Sequence, residues 1–289
     1  MIDPTPRRLS HLIEGRLAPG NDDDRIEVID RDDRLVASVP CATPAEVDDA
    51  IGVATRAQPT WATLPPEQRG RCLFALSDTL ERRGPAWNET LAAGTDANPR
   101  VVGIGLENAV TRLRGFGGWC DKLGLFLGST PSIGGPYACA TRPRPAGPVA
   151  VVAPAEPAWL GLISLLAPPL CAGNAVVVLA DETSAFEAAV LGATLQEATL
   201  PAGVLNIVTG VQPEDVARVI GEGDVYVLTA LTPPAPRARV WRERATESGT
   251  RLHLQRITAD DWTHNDTRLA PETIEPFIHS RTMWHPAEV

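Results

Sequence analysis

Two periods of hydrophobic and polar positions organise the chain. The stretch "IEVIDRDDRLVASVP" alternates on either side of an Asp-Asp turn and predicts a hairpin between Ile26 and Val39. In "TPAEVDDAIGVATRAQ" the period lengthens to that of a helix. Thr43 stands as the cap, Pro44 at the first helical position and Glu46 three residues after the cap, which is a capping-box start. In "PPEQRGRCLFALSDTLERRG", Cys72, Leu73, Leu76 and Leu80 fall on one helical face, and Gly84 is the expected terminator. More helix is predicted over residues 87–93 and 106–123.

From Pro148 the texture changes to short β-rich runs separated by helical stretches. Strands are predicted at residues 149–153, 175–179, 205–208, 225–229 and 251–257, with helices at 159–171, 184–197, 213–220 and 235–246. That alternation predicts an α/β fold, a Rossmann-like five-stranded mostly parallel sheet with helices on both faces. Ligands of such sheets sit beyond the carboxyl ends of the strands. The expected crevice therefore involves Pro154 to Glu156, Ala180 to Glu182, Thr209 to Gly210, Ala230 to Thr232 and the end of the fifth strand. Two extended segments stand outside this scheme, "GGPYACATRPRPAGP" at residues 134–148 and "IEPFIHSRTMWHPAEV" at 274–289. Each reads as a strand with no partner inside the sheet.

Composition narrows the picture. With 289 residues, 44% hydrophobic and 21% charged, a packed core is expected in one large domain or two. A net charge of -10 repels a phosphate backbone and argues against nucleic-acid binding. Cys41, Cys72, Cys120, Cys139 and Cys171 are odd in number and scattered, without metal or redox spacing, so a reduced, cytoplasmic protein is expected. The start of the chain has no signal-peptide pattern. "PAWLGLISLLAPPLCAG" is shorter than the roughly 20 residues of a membrane span and reads as a buried helix. In "DDWTHND", Asp260, Asp261, His264 and Asp266 match no ligand spacing, and a solvated loop is preferred to a metal site.

The words "EVIDRDDRLVASVP", "QPTWATLPPEQR", "GWCDKL", "LLAPPLCAGNAVVVLADE" and "LPAGVLNIVTG" occur in an order that resembles the aldehyde dehydrogenase superfamily. The resemblance covers residues 10–232 and the tail at 271–284. Several independent words in one order are more specific than a lone glycine motif. The resemblance implies a coenzyme-binding domain at residues 1–133 and 149–260, with a small β oligomerisation arm from residues 134–148 and 271–286. It also implies a catalytic domain with a cysteine nucleophile. Here the arm's second strand follows the coenzyme words so closely that this domain is expected to be missing. Fold alone does not fix function.

The positions implied by the resemblance are altered. Glu156 stands where the family has an asparagine of the oxyanion hole, and a carboxylate there repels an oxyanion. The ribose-holding lysine and glutamate correspond to Leu179 and Glu182. Ala230 and Leu231 replace the small residues of a Gly-Ser-Thr turn. Pro233, Pro234 and Pro236 remove N–H donors that would face a pyrophosphate. Arg237 and Arg239 retain positive charge there. Gln255 aligns with the glutamate general base and cannot take a proton at neutral pH. No cysteine matches the nucleophile loop.

The favoured expectation is a catalytically inactive relative, a structural or regulatory subunit acting through its arm. It would form a homo-oligomer, or a hetero-oligomer with a full-length aldehyde dehydrogenase, through Tyr137, Cys139, Thr141, Phe277, Ile278, Thr282 and Trp284. No cofactor is expected, or NAD(P) if the crevice still works through Pro154, Glu182 and Gly210. The alternative is an NAD(P)-dependent aldehyde oxidoreductase completed by a partner chain that supplies the cysteine. A third expectation is a nucleotide or small-molecule sensor in the remodelled crevice.

Overall fold

The structure is a computed structural model that describes residues 5–132, 134–257, 262 and 271–286. Five short strands come first: β1 (Arg7–Arg8), β2 (His11–Ile13), β3 (Arg16–Ala18), β4 (Arg25–Ile29) and β5 (Leu35–Pro40). The expected hairpin is β4–β5, with Ile26 opposite Val39, and β1 adds to it as a third strand.

The capping box is formed. Thr43 Oγ1 accepts from Glu46 N at 3.3 Å, and Glu46 Oε2 accepts from Thr43 N at 2.8 Å. This pair starts α1 (Pro44–Thr63). Next come α2 (Pro66–Arg83) and α3 (Asn88–Gly94). Gly84 does not end α2 in the left-handed conformation expected of a terminator. Its φ is -54°, and the chain continues into a 3₁₀ turn, Gly84–Trp87. A Cβ at Gly84 would lie 2.6 Å from Leu106 Cδ1 and 3.0 Å from Trp159 Cζ3, so close packing explains the glycine. Helix α4 (Pro99–Trp119) begins well before Leu106, because Asn98 caps it by accepting from Arg100 N at 2.9 Å. Exposed Val101 and Ile104 blur the apolar period over that first part. A short α5 (Leu123–Phe126) follows.

The second half of the chain contains β6 (Tyr137–Pro145), β7 (Val149–Val152), β8 (Val176–Ala180), β9 (Leu205–Thr209), β10 (Val227–Leu231), β11 (Arg251–Gln255) and β12 (Ile278–Pro286). Between them lie α6 (Ala158–Ala172), α7 (Ala185–Leu195), α8 (Pro213–Glu222) and α9 (Ala235–Ser248). The main sheet has the order β11-β10-β7-β8-β9-β2-β3. Its first five strands are parallel, as expected. The sheet is seven-stranded, not five-stranded, because β2 and β3 extend it antiparallel. These strands are too short to show alternation, and β2 opens with a histidine. His11 is fully buried, and its Nδ1 accepts from Thr209 N at 3.1 Å, which ties β2 to β9. Burial pushes the His11 pKa down to about 4.

Alternating residues of the central strands serve two cores. Val149, Val151, Val176 and Val178 pack with α2, α4, α6 and α7. Ala150, Val177 and Leu179 pack with α1, α8 and α9. Both faces of the sheet are therefore covered by helices. The apolar stretch ahead of Cys171 is the buried helix α6, which ends at Gly173 with φ 97°. Among the described residues, no helix is long and apolar enough to cross a membrane.

The cap supplies a stability prediction. Thr43→Ala removes both reciprocal bonds of the capping box and should cost about 1 kcal/mol. Urea titration should show a lower midpoint with an unchanged slope. A midpoint equal to that of the parent chain would show that the cap contributes nothing.

Candidate functional site

The strand order reverses between β7 and β10, and this is where an open α/β sheet leaves a crevice at the carboxyl ends of its strands. Pro154 and Glu156 follow β7, Glu182 follows β8, Gly210 follows β9 and Thr232 follows β10. Ala230 and Leu231 are not in the turn. They are the last residues of β10, paired with Leu254 and Gln255, so the strand lies two residues later than its apolar run suggested. Gln255 ends β11, and its amide donates to Thr229 Oγ1 at 3.3 Å while its carbonyl accepts from Thr232 N at 2.9 Å.

Local geometry decides what these positions offer a ligand. Leu179 is fully buried in the core that faces α1 and α8. Gly210 has φ 65°, and a Cβ there would stand 2.5 Å from Cys41 Cα, so the β5 end covers it. Helix α9 has Pro234 as its cap residue, no side-chain cap bond, and Pro236 in its first turn. Its N-terminus thus presents few N–H groups to an anion. Arg237 and Arg239 are exposed, and Arg239 lies 3.8 Å from Glu243.

Cys41 is the cysteine at the crevice rim. Its thiol pKa is pushed up to about 11, first by burial, then by a hydrogen bond with Asp24 and the nearby charges of Asp24 and Glu182, with Arg25 opposing. A thiol held protonated is the reverse of an activated nucleophile. Cys171 is fully buried on α6, its Sγ 3.6 Å from Cys120 Sγ, and behaves as a small core residue.

Beside the crevice, on the α6–α7 side, lies a cavity of about 690 Å³. Strand β4, the end of α3, the first half of α4, the turn after β7 and the start of α7 enclose it. Glu156 and Glu182 from the expected crevice line it, and Pro154, Gly210 and Gln255 do not. Its walls are largely apolar, with Trp159 fixed by an indole N–H donated to the Glu187 carbonyl at 3.1 Å. Glu187 is 8% exposed. Burial pushes its carboxyl pKa up to about 7; its own backbone N–H opposes the rise and the Glu156 charge adds to it. Sequence reasoning missed Glu187. The available signal was a single charge at the start of the otherwise apolar run "AFEAAVLGATL".

The arm residues divide into two groups. Strands β6 and β12 pair antiparallel with each other along their full length, from Ile278 opposite Pro145 to Pro286 opposite Tyr137. Tyr137, Cys139 and Thr141 share one face with Thr282 and Trp284, because opposed residues and alternate residues point the same way. Thr141 and Thr282 hydroxyls are 2.9 Å apart, and Trp284 is 60% exposed. Cys139 on that face is itself buried, and Phe277 and Ile278 are not surface positions either. Phe277 is fully buried against the His253 ring, and Ile278 joins the same core, so both anchor the arm to the body. Asp260, Asp261, His264 and Asp266 lie outside the described residues.

A doubly wound sheet with this reversal places the chain among the Rossmann-like α/β proteins. A sequence model of the aldehyde dehydrogenase family matches residues 18–255, and the chain belongs to that family. Retinaldehyde dehydrogenase 3 of Homo sapiens is 32% identical over 214 residues, which cover 73% of this chain and 40% of the relative. The chain thus spans about two-fifths of that relative's length. Lactaldehyde dehydrogenase from Escherichia coli shares the fold, with a TM-score of 0.79 at 20% identity over 88% of this chain and 53% of that one. PnpE in complex with nicotinamide adenine dinucleotide aligns with a TM-score of 0.77 and 25% identity, over 86% of this chain and 51% of that one.

Glu187 gives a pH-dependent prediction. Its raised folded pKa means that the native state holds the proton more tightly than the unfolded chain. The stability it contributes is full below pH 4.5 and is lost as pH rises through about 7. Glu187→Gln should therefore be more stable than the parent chain at alkaline pH, by up to about 3 kcal/mol. That gain should vanish near pH 4.5 in parallel denaturation curves. An equal difference at both ends would mean that ionisation is not its cause.

Proposed function

We propose that this chain is a catalytically inactive member of the aldehyde dehydrogenase family that acts by assembly. Its β6–β12 ribbon joins another family chain, either a second copy or a full-length aldehyde dehydrogenase. The observation that carries this reading is the ribbon. Its nine-residue strands pair with each other in a two-stranded sheet, and among the described residues the one further bridge is from Ser129 to Thr141 on the outer side of β6. Among the described residues, β12 has β6 on one side and no strand on the other. Such an edge is a template for strand addition. Exposed Tyr137 and Trp284 on one face provide the apolar contact that a stable interface needs.

The crevice supports the inactive half of the reading. Glu156 offers a carboxylate where acyl chemistry calls for a donor, Gln255 offers an amide where it calls for a base, and Cys41 is held as a thiol. The short connection between β11 and β12, residues 256–277, is consistent with a family member that has dropped its catalytic portion.

Two measurements test the two halves. Light scattering should give an oligomer for the parent chain alone, or a complex when it is co-expressed with a full-length aldehyde dehydrogenase. The Tyr137→Asp/Trp284→Asp variant should be monomeric in both settings, with its melting temperature retained. A variant that keeps the parent's mass and complex would sink the assembly reading. In calorimetry, NAD should bind more weakly than about 100 µM, or roughly 5.5 kcal/mol. Tighter binding would favour a redox role completed by a partner chain that supplies the cysteine.

A further inference from the structure

The cavity beside the crevice has a charge pattern that the assembly reading does not use. Among the described residues, its ionisable lining consists of Glu27, Glu156, Glu182 and Glu187, with no arginine, lysine or histidine. The rest is mostly aliphatic and aromatic, including Trp159, Phe186 and Leu106. The volume of about 690 Å³ lies within the range typical of small-molecule sites. Glu187 is the deepest of the four, 8% exposed, while Glu156 and Glu182 stand at the open side. A buried carboxyl without a counter-cation is unfavourable in its charged form.

We propose that this cavity binds an organic ammonium ion with an apolar, preferably aromatic, body, its N–H donors meeting Glu187 and its body lying against Trp159 and Phe186. Each alternative ligand class conflicts with the lining. Anions, nucleotide phosphates included, meet four carboxyl groups and no base. A hard metal ion needs six or more oxygen ligands in a polar shell, and these walls are largely carbon. A neutral apolar molecule fits the walls but brings no counter-charge to Glu187. An ammonium group supplies the missing charge, and aromatic faces attract cations in addition.

The charge state of the site follows from the same residues. Glu27 on β4, Glu156 after β7 and Glu182 after β8 are the charged groups that join Glu187 in the lining, all of one sign. The Glu187 carboxyl titrates near neutrality, at about 7, so ammonium binding strengthens as pH rises through that value.

Isothermal titration of the full chain with 2-phenylethylammonium, 2-phenylethanol and 3-phenylpropanoate at about pH 8 tests the proposal. The ammonium should bind at least about tenfold more tightly than the alcohol, as one charge-assisted hydrogen bond allows. The carboxylate should not bind. In Glu187→Gln the ammonium and alcohol affinities should converge, and Glu187→Asp should restore part of the preference. Melting curves establish that both variants are folded. Failure of the ammonium to bind, equal binding of the alcohol, or a preference retained in Glu187→Gln would overturn the proposal. This reading goes beyond assembly and is independent of it, since the one is read in a ligand titration and the other in a molecular mass.

Discussion

Everything at the crevice depends on the closure of β8 on both faces. All five of its residues, Val176–Ala180, are fully buried, and their alternation feeds two separate cores. A strand packed this way has no freedom to rotate or slip, because a shift of one residue would exchange its two faces. The polar chain that emerges from it is therefore fixed in position. Asp181 closes the turn by accepting from Thr183 N at 3.0 Å and from the Thr183 and Ser184 hydroxyls at 2.6 and 3.2 Å. That turn starts α7 and directs Glu182 and Glu187 toward the cavity.

The electrostatic character of this end of the sheet follows from the same arrangement. Carboxylates arrive from β4, from the turn after β7 and from the start of α7, while the nearby arginines are engaged elsewhere. Arg25 donates to the Leu9 and Ser38 carbonyls at 2.6 and 3.0 Å, and Arg31 pairs with Asp96 at 2.9 Å. On the far side of the reversal, prolines strip donors from the start of α9. The start of α9 therefore offers few N–H donors to an anion. At the Gly210 turn, Pro40 and Cys41 fill the approach that a glycine would otherwise leave open.

What could be read from the sequence was set by how strongly one physical signal dominated each segment. Doubly buried strands such as Val176–Ala180 are continuous apolar runs, and the Thr43 box is a local signal that needs no tertiary context. The sheet core and α1 were legible for that reason. Strands β2 and β3 were not, because they have three residues each and owe their place to the buried contact of His11 with Thr209. The β10 boundary slipped because Leu231 continues the ladder opposite Gln255 in a stretch already read as a turn. Gly84 does stand at the C-cap of α2 as read, but with φ -54° it is a glycine because Leu106 and Trp159 pack against it and not because the cap is left-handed. The crevice residues could be placed from strand ends. The cavity could not, since it is assembled from β4, α3, α4 and α7, which only the tertiary fold brings together.

One buried side chain ties together the three segments where the arm leaves the body, and this governs how it can present an edge. Asn174 is fully buried; its amide nitrogen donates to the Pro169 and Phe277 carbonyls, both at 3.0 Å, and its oxygen accepts from Gly147 N at 3.0 Å. It thus links the end of α6, the exit of β6 and the entry to β12. Ala146 N adds a bond to the Phe277 carbonyl at 3.0 Å, and the Phe277 ring is sealed in the core. The ribbon is consequently clamped where Pro145 meets Ile278, is held again midway by the Ser129–Thr141 bridge, and continues toward Tyr137 and Pro286. Its orientation is inherited from the sheet through Asn174 and the α6 terminus, so a partner paired along β12 would be held in a defined direction relative to the crevice. Under the assembly reading, a buried amide away from the exposed face thus helps to set how the edge is presented.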